Sequence, residues 1–222
     1  MQIEYGFGFI LEDADRLFAE DYRKGKDRSQ IAYSLFKDAI SLGTINLTEN
    51  YPEFGLWLMQ DNYKIQFKRD DIFDLYWLGA AYGGLIRASR GNPFDIIQLP
   101  KVGKLFNAAL DLNPDWNNGA IYSAMISYTA SRSDLSDNDL LVLVTKYFDL
   151  AVSSSDSMDA SPFVSYAENI DKKFQNKSEF INKLEYVLGL NVNQNKSLRL
   201  GNIIAQERAK WLLTKTDEYF FE

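Results

Sequence analysis

Two short patterns between residues 75 and 114 constrain the fold most. The first is Leu75-x2-Leu78-Gly79-x2-Tyr82; the second is Val102-x3-Phe106-x2-Ala109, which closes at Asn113-Pro114. Leu75, Leu78 and Tyr82 recur at helical spacing and share one face. Gly79 carries no side chain, so a partner helix can lie close to it. Phe106 and Ala109 face back from that partner as a large knob beside a small hole. Pro114 cannot continue a helix, and the residue before it is biased away from the α region, so the pair sets a turn. These features predict an antiparallel helical hairpin that cannot bury its apolar faces alone and must stack on neighbours.

The second half of the hairpin occurs three times. Ala32-x3-Phe36-x2-Ala39, Val102-x3-Phe106-x2-Ala109 and Val144-x3-Phe148-x2-Ala151 are in the same register, and each is followed by an aliphatic residue. Phe36 and Phe106 are 70 residues apart, and Phe106 and Phe148 are 42 apart. The first spacing is about two 34-residue tetratricopeptide (TPR) periods; the second is one period with an insertion. The hairpin is close to the TPR consensus, with Leu75 for its Trp and Val102 for its Ala. Chance recurrence of Phe and Ala in amphipathic helices is the plain alternative. Three register-matched copies favour a degenerate helical repeat. The expected fold is therefore all-α: TPR-like helical-hairpin repeats in an α-α superhelix, with additional helices and a long C-terminal helix. Residues 1–222 are read as a single domain, as one body or two closely packed halves.

Composition narrows the function classes. The chain of 222 residues is 46% hydrophobic and 14% aromatic, enough for a sizeable core. Its formal charge is -7 and no basic stripe stands out, which disfavours nucleic acid as a partner. Cys and His are both absent. That removes thiolate chemistry, the commonest general base and the commonest metal ligand. No apolar run reaches the roughly 18 residues of a membrane helix. Met1-Gln2-Ile3-Glu4 does not begin a signal peptide, so the expectation is an intracellular chain or a sequence lacking its export segment.

Taken in order, residues 1–10 are expected to be a short non-helical leader or edge segment. A helix is expected from Leu11 to about Gly25, ended by Lys24-Gly25-Lys26. Ser29 is the expected N-cap of the next helix, which stops at Gly43. An extra helix is expected within 49–67. Asp70-Asp71 suit the negative charge that a helix start favours, and a helix follows over 71–90. Gly83-Gly84 inside it cost about 2 kcal/mol of helix propensity, which implies close packing or a kink. Residues 91–100 are an insertion. Further helices are expected over 101–112, 116–131, 137–152, 161–170, 178–189 and from 197 to the end. Ser136 with Asp139 resembles a capping box. No run is read as alternating with period two, so no strands are expected.

The last helix is the most distinctive stretch. Asn202, Ala205, Ala209 and Leu212 share a face that Gln206 borders. It contains Asn202, then Ala205-Gln206-Glu207-Arg208-Ala209-Lys210-Trp211-Leu212-Leu213, then Asp217-Glu218-Tyr219-Phe220. This resembles the end of the TRAP-transporter T-component (TatT) family. Two further stretches resemble that family: Leu75-Tyr76-Trp77 with Ala81-Tyr82-Gly83, and Leu110-Asp111-Leu112-Asn113-Pro114 with Gly119-Ala120. The likeness covers roughly 70–222. It implies a TPR-like helical protein that is periplasmic, often as a lipoprotein, and a homotrimer with a pore-like passage. The implied partner is the solute-binding P-component of a tripartite ATP-independent periplasmic transporter, with a small organic ligand.

Asn202, Gln206 and Arg208 have two readings. They either tie the last helix to its neighbours as a buried polar network, or line a ligand cavity or passage. Tyr82, Trp77, Trp57 and Tyr122 read mostly as core aromatics, with a groove position for one of them. No catalytic residue, metal site or cofactor is expected. Asp70-Asp71 and Asp134/Asp137/Asp139 are explained by helix starts, and the second set lacks the glycine and final Glu of a calcium loop. Gly79-x3-Gly83-Gly84 is not a phosphate loop, since no strand precedes it and no Gly-Lys-Ser/Thr follows. The expected function is a non-enzymatic transport accessory. The alternative is a TPR-like adaptor binding a peptide or scaffolding a complex; no regular Lys/Arg/Asn clamp supports it.

Overall fold

The computed structural model describes residues 2–221, and among these the chain is all-α with no strand. It divides into two compact units, 1–114 and 115–222.

The first unit holds α1 (Gln2–Tyr5), a π-helical segment (Gly6–Leu11), α2 (Glu12–Glu20), α3 (Tyr22–Asn50), α4 (Phe54–Met59), α5 (Ile72–Ala88), α6 (Pro93–Ile96) and α7 (Leu99–Leu112). Helix α5 packs on α3 on one side and on α7 on the other. The recurrent phenylalanines make both contacts. A Cβ built on Gly79 would lie 2.7 Å from the Phe106 ring of α7, and one on Gly84 would lie 2.4 Å from the Phe36 ring of α3. The Gly79–Phe106 fit is the knob-beside-small-residue contact expected from the sequence. Gly84 supplies the close packing that offsets its poor helix propensity.

Several boundaries differ from the expectation, each for a physical reason. Residues 2–11 are helical, not a non-helical leader. Ile10 and Leu11 are buried against α3, and the Phe7 ring lies 4.8 Å from Phe36, so tertiary packing overrides the glycines. The first helix ends at Glu20, because Asp21 is extended and its side chain accepts from the N–H groups of Arg23 and Lys24. Gly25 and Gly43 therefore stop nothing. Both lie inside α3 where other side chains approach: Phe18 at Gly25 and Leu78 at Gly43. Ser29 is a buried mid-helix residue whose hydroxyl donates to the Ala88 carbonyl at 3.0 Å, not an N-cap. Of residues 49–67 only Phe54–Met59 form a new helix; 63–68 contain no helix, turn or bend.

The second unit holds α8 (Trp116–Ala130), α9 (Asp137–Ser154), α10 (Ser161–Tyr166) continued by a π segment (Ala167–Asp171), α11 (Lys177–Gly189), α12 (Arg199–Thr214) and α13 (Thr216–Tyr219). The Ser136 cap is present: its side chain accepts from the Asp139 N–H at 3.2 Å and donates to the Asp139 carboxylate at 2.6 Å. The start of α8 is unusual. Asn117, Asn118 and Gly119 are consecutively left-handed, with φ of 51°, 58° and 79°. Asn tolerates this conformation and Gly adopts it freely. Gly119 also lies against Ser154 of α9, where a Cβ would come within 2.8 Å. The last helix is shorter than expected, because a turn at Lys215 separates α12 from α13.

Candidate functional site

The polar side chains of α12 are held by the second unit itself. Asn202 is buried; its Oδ1 accepts from the Ala160 N–H at 2.9 Å, and its Nδ2 donates to the Met158 carbonyl at 2.7 Å. Gln206 Nε2 donates to the carbonyls of Val187 and Leu190, both at 3.0 Å. Val187 lies in the last turn of α11, where its carbonyl also accepts from the Leu190 N–H at 3.2 Å, and Leu190 follows the helix, so Gln206 adds a donor at this helix end. Arg208 is buried and forms a two-pronged pair with Glu168, with Nε donating to Oε2 at 3.2 Å and Nη2 to Oε1. Its guanidinium also lies 4.6 Å from the Trp211 ring. This geometry is a network tying α12 to its neighbours around a core of Phe180, Leu184, Ala205, Ala209 and Leu212.

Asp159, next to Ala160, is also buried, and its Oδ1 accepts from the Ser161 N–H at 2.9 Å. Burial raises its pKa above the ordinary carboxylate range. The folded chain thus binds more protons than the unfolded chain between those two values, and stability falls as pH rises through that interval. Asp159→Asn keeps an acceptor for Ser161 and cannot ionise. Urea unfolding across this range should show a flatter pH dependence for the variant and no loss of stability at neutral pH.

The aromatic candidates separate. Tyr82 is 8% exposed in the core of the first unit, burial raises its pKa, and Lys101 Nζ lies 5.3 Å from its ring. Tyr122 is half-buried and 6.4 Å from Tyr147; burial raises its pKa, aided by the charge of Asp115. Trp57 is the candidate that borders a groove. With Ile65, Phe67 and Leu112 it walls a space of about 400 Å³ along α7. Lys104, Asn107 and Asp111 project into that groove from one face of α7. Lys104 Nζ lies 5.1 Å from the Trp57 ring and donates to the Gln60 carbonyl at 2.9 Å. The arrangement offers an apolar wall beside a cation, an amide and a carboxylate, suited to holding an amphipathic organic molecule or an extended chain, and it brings no nucleophile–base pair together.

A second, wider cleft of about 680 Å³ lies where α3 meets the end of α5. Its charged liners are Lys26 and Arg90, beside Phe18, Tyr22 and Tyr33. Arg90 is left-handed (φ 53°), stacks 4.4 Å from Phe18 and bonds Asp15 at 2.5 Å. Neither cleft was read from the sequence beyond Trp57. The available signal was Tyr63-x-Ile65-x-Phe67, a short alternation of period two. Among the described residues no group of three or more acidic side chains could hold a metal ion.

The described residues are all-helical, and the first unit carries two open clefts. The family model described as TRAP transporter T-component matches residues 2–220, and the chain belongs to that family. A Treponema pallidum (strain Nichols) protein described as uncharacterized is 19% identical over 228 aligned positions, spanning all of this chain and 70% of that protein. As a T-component the chain is an accessory of a TRAP transporter. No helix among the described residues is long and apolar enough to cross a membrane.

Proposed function

We propose that the protein works in the periplasm, docks the solute-binding P-component of its transporter, and assists uptake of a small organic ligand without transforming it. The observation that carries this reading is the family match over nearly the whole chain. The groove at Trp57 supports it, because one side presents aromatic and aliphatic carbon and the other presents Lys104, Asn107 and Asp111. A ligand with an apolar body and a polar end fits such a site. In this reading Trp57 contacts ligand, whereas Asn202, Gln206 and Arg208 hold α12 in place. Three copies acting together, with a lipid anchor on the mature chain, complete the proposed assembly.

The test is a deletion of the gene with permease and P-component left intact. Uptake of the transported solute should fall and return on complementation. Unchanged uptake at every solute concentration would overturn the proposal.

A further inference from the structure

Residues 62–67 lie between two pinned ends, and their main-chain N–H and C=O groups make no hydrogen bond to other described residues. At one end Lys104 holds the Gln60 carbonyl. At the other, the Lys68 N–H donates to Asp71 at 2.6 Å and to the Tyr51 hydroxyl at 3.3 Å. Side-chain exposure alternates between them: Tyr63, Ile65 and Phe67 are half-buried, while Asn62, Lys64, Gln66 and Lys68 are exposed. That is the period of a strand with one face on the protein. Phe67 fixes the register, with its ring 4.9 Å from Trp57 and 5.1 Å from Tyr51, edge-on to both. The segment thus has the side-chain alternation of a strand but no neighbouring strand to pair with.

We infer that residues 62–68 are a strand-addition site, to which a partner chain adds an extended segment that alternates acidic with apolar side chains. The inference does not rest on the transporter reading. In a strand the main-chain groups point sideways, so the free N–H and C=O groups can bond an incoming strand, as in other cases of β-addition. The ordering cost on this side is already met by the anchored ends. Charge selects the occupant. The chain carries -7 overall, yet the outward face of this segment presents Lys64 and Lys68, neither with a carboxylate partner among the described residues. Acidic side chains on the added strand would sit opposite them, whereas a second copy of 62–68 would bring lysines against lysines. The groove beside Ile65 and Phe67, closed by Leu112, accepts the apolar side chains that alternate with the acids.

The probe is a synthetic peptide of alternating Glu and Val, added to the full chain and followed by amide hydrogen exchange. Exchange should slow at 62–67. A peptide N-methylated on every amide should give no protection, since neither of its edges can donate to the ladder. Lys64→Glu with Lys68→Glu, both on exposed side chains, should weaken binding on the order of tenfold, with the melting temperature unchanged. Three results would each overturn the inference. The first is no slowing at 62–67 with millimolar peptide. The second is equal protection by a Lys-Val peptide. The third is protection that grows with protein concentration alone, which would mean that copies pair with each other.

Discussion

Gly84→Val should destabilise the protein by about 3 kcal/mol or more, while Gly83→Ala, one residue away, should be neutral or stabilising by up to about 1 kcal/mol. The two glycines are adjacent in α5 and differ only in what surrounds them. Nothing lies within 4 Å of a Cβ built on Gly83. At Gly84 the Phe36 ring is 2.4 Å away, and the same ring is backed by Gly6, where a Cβ would be 2.8 Å from it. Phe36 is fully buried and cannot retreat. Overpacking a filled core costs about 1–3 kcal/mol per insertion, and two added methyl groups on a β-branched carbon exceed that. Chemical denaturation of both single variants checks the asymmetry. Phe36→Leu should relieve part of the Gly84→Val loss, with a coupling of about 1 kcal/mol or more. Additive losses would mean that the ring and the glycine are not in contact.

Asn202→Leu should cost about 2–4 kcal/mol despite its similar volume. The variant leaves the Ala160 N–H, at a residue with no exposed surface, without its acceptor, and the Met158 carbonyl without its donor. Each buried group stripped of its partner costs about 1–3 kcal/mol. A thermal melt of the full chain gives the size of the loss. Hydrogen exchange gives its location, and the Ala160 amide should lose protection first. A change of a few tenths of a kcal/mol would show that water replaces the amide and that Asn202 is not part of the tie.

The same contacts show what could be read from residue order. The hairpin from Leu75 to Pro114 was legible because its signal is chemical: a glycine on one helix and a phenylalanine on the next, at spacings that set them face to face. The Ser136 cap was legible because a cap is local. Gly25 and Gly43 were misread as stops because a glycine that ends a helix and one that admits a neighbour look alike in sequence. The difference lies in Phe18 and Leu78, the second of them 35 positions further along the chain. Residues 2–11 failed for a related reason, since their helix depends on the burial of Ile10 and Leu11 against α3. The polar face of α12 was identified as unusual, but its partners come from Met158 to Leu190 and no local pattern names them. The groove at Trp57 was half visible: the tryptophan stood out, while the Tyr63–Phe67 alternation is too short to register against helical surroundings.

Docking of the chain to the solute-binding protein of its transporter, as proposed above, calls for a direct physical measurement. Sedimentation velocity on an equimolar mixture of the two purified proteins, with and without the transported solute, tests it most directly. Docking should give a boundary heavier than either protein alone in at least one of those conditions. Two independent boundaries at every concentration of protein and solute would contradict it.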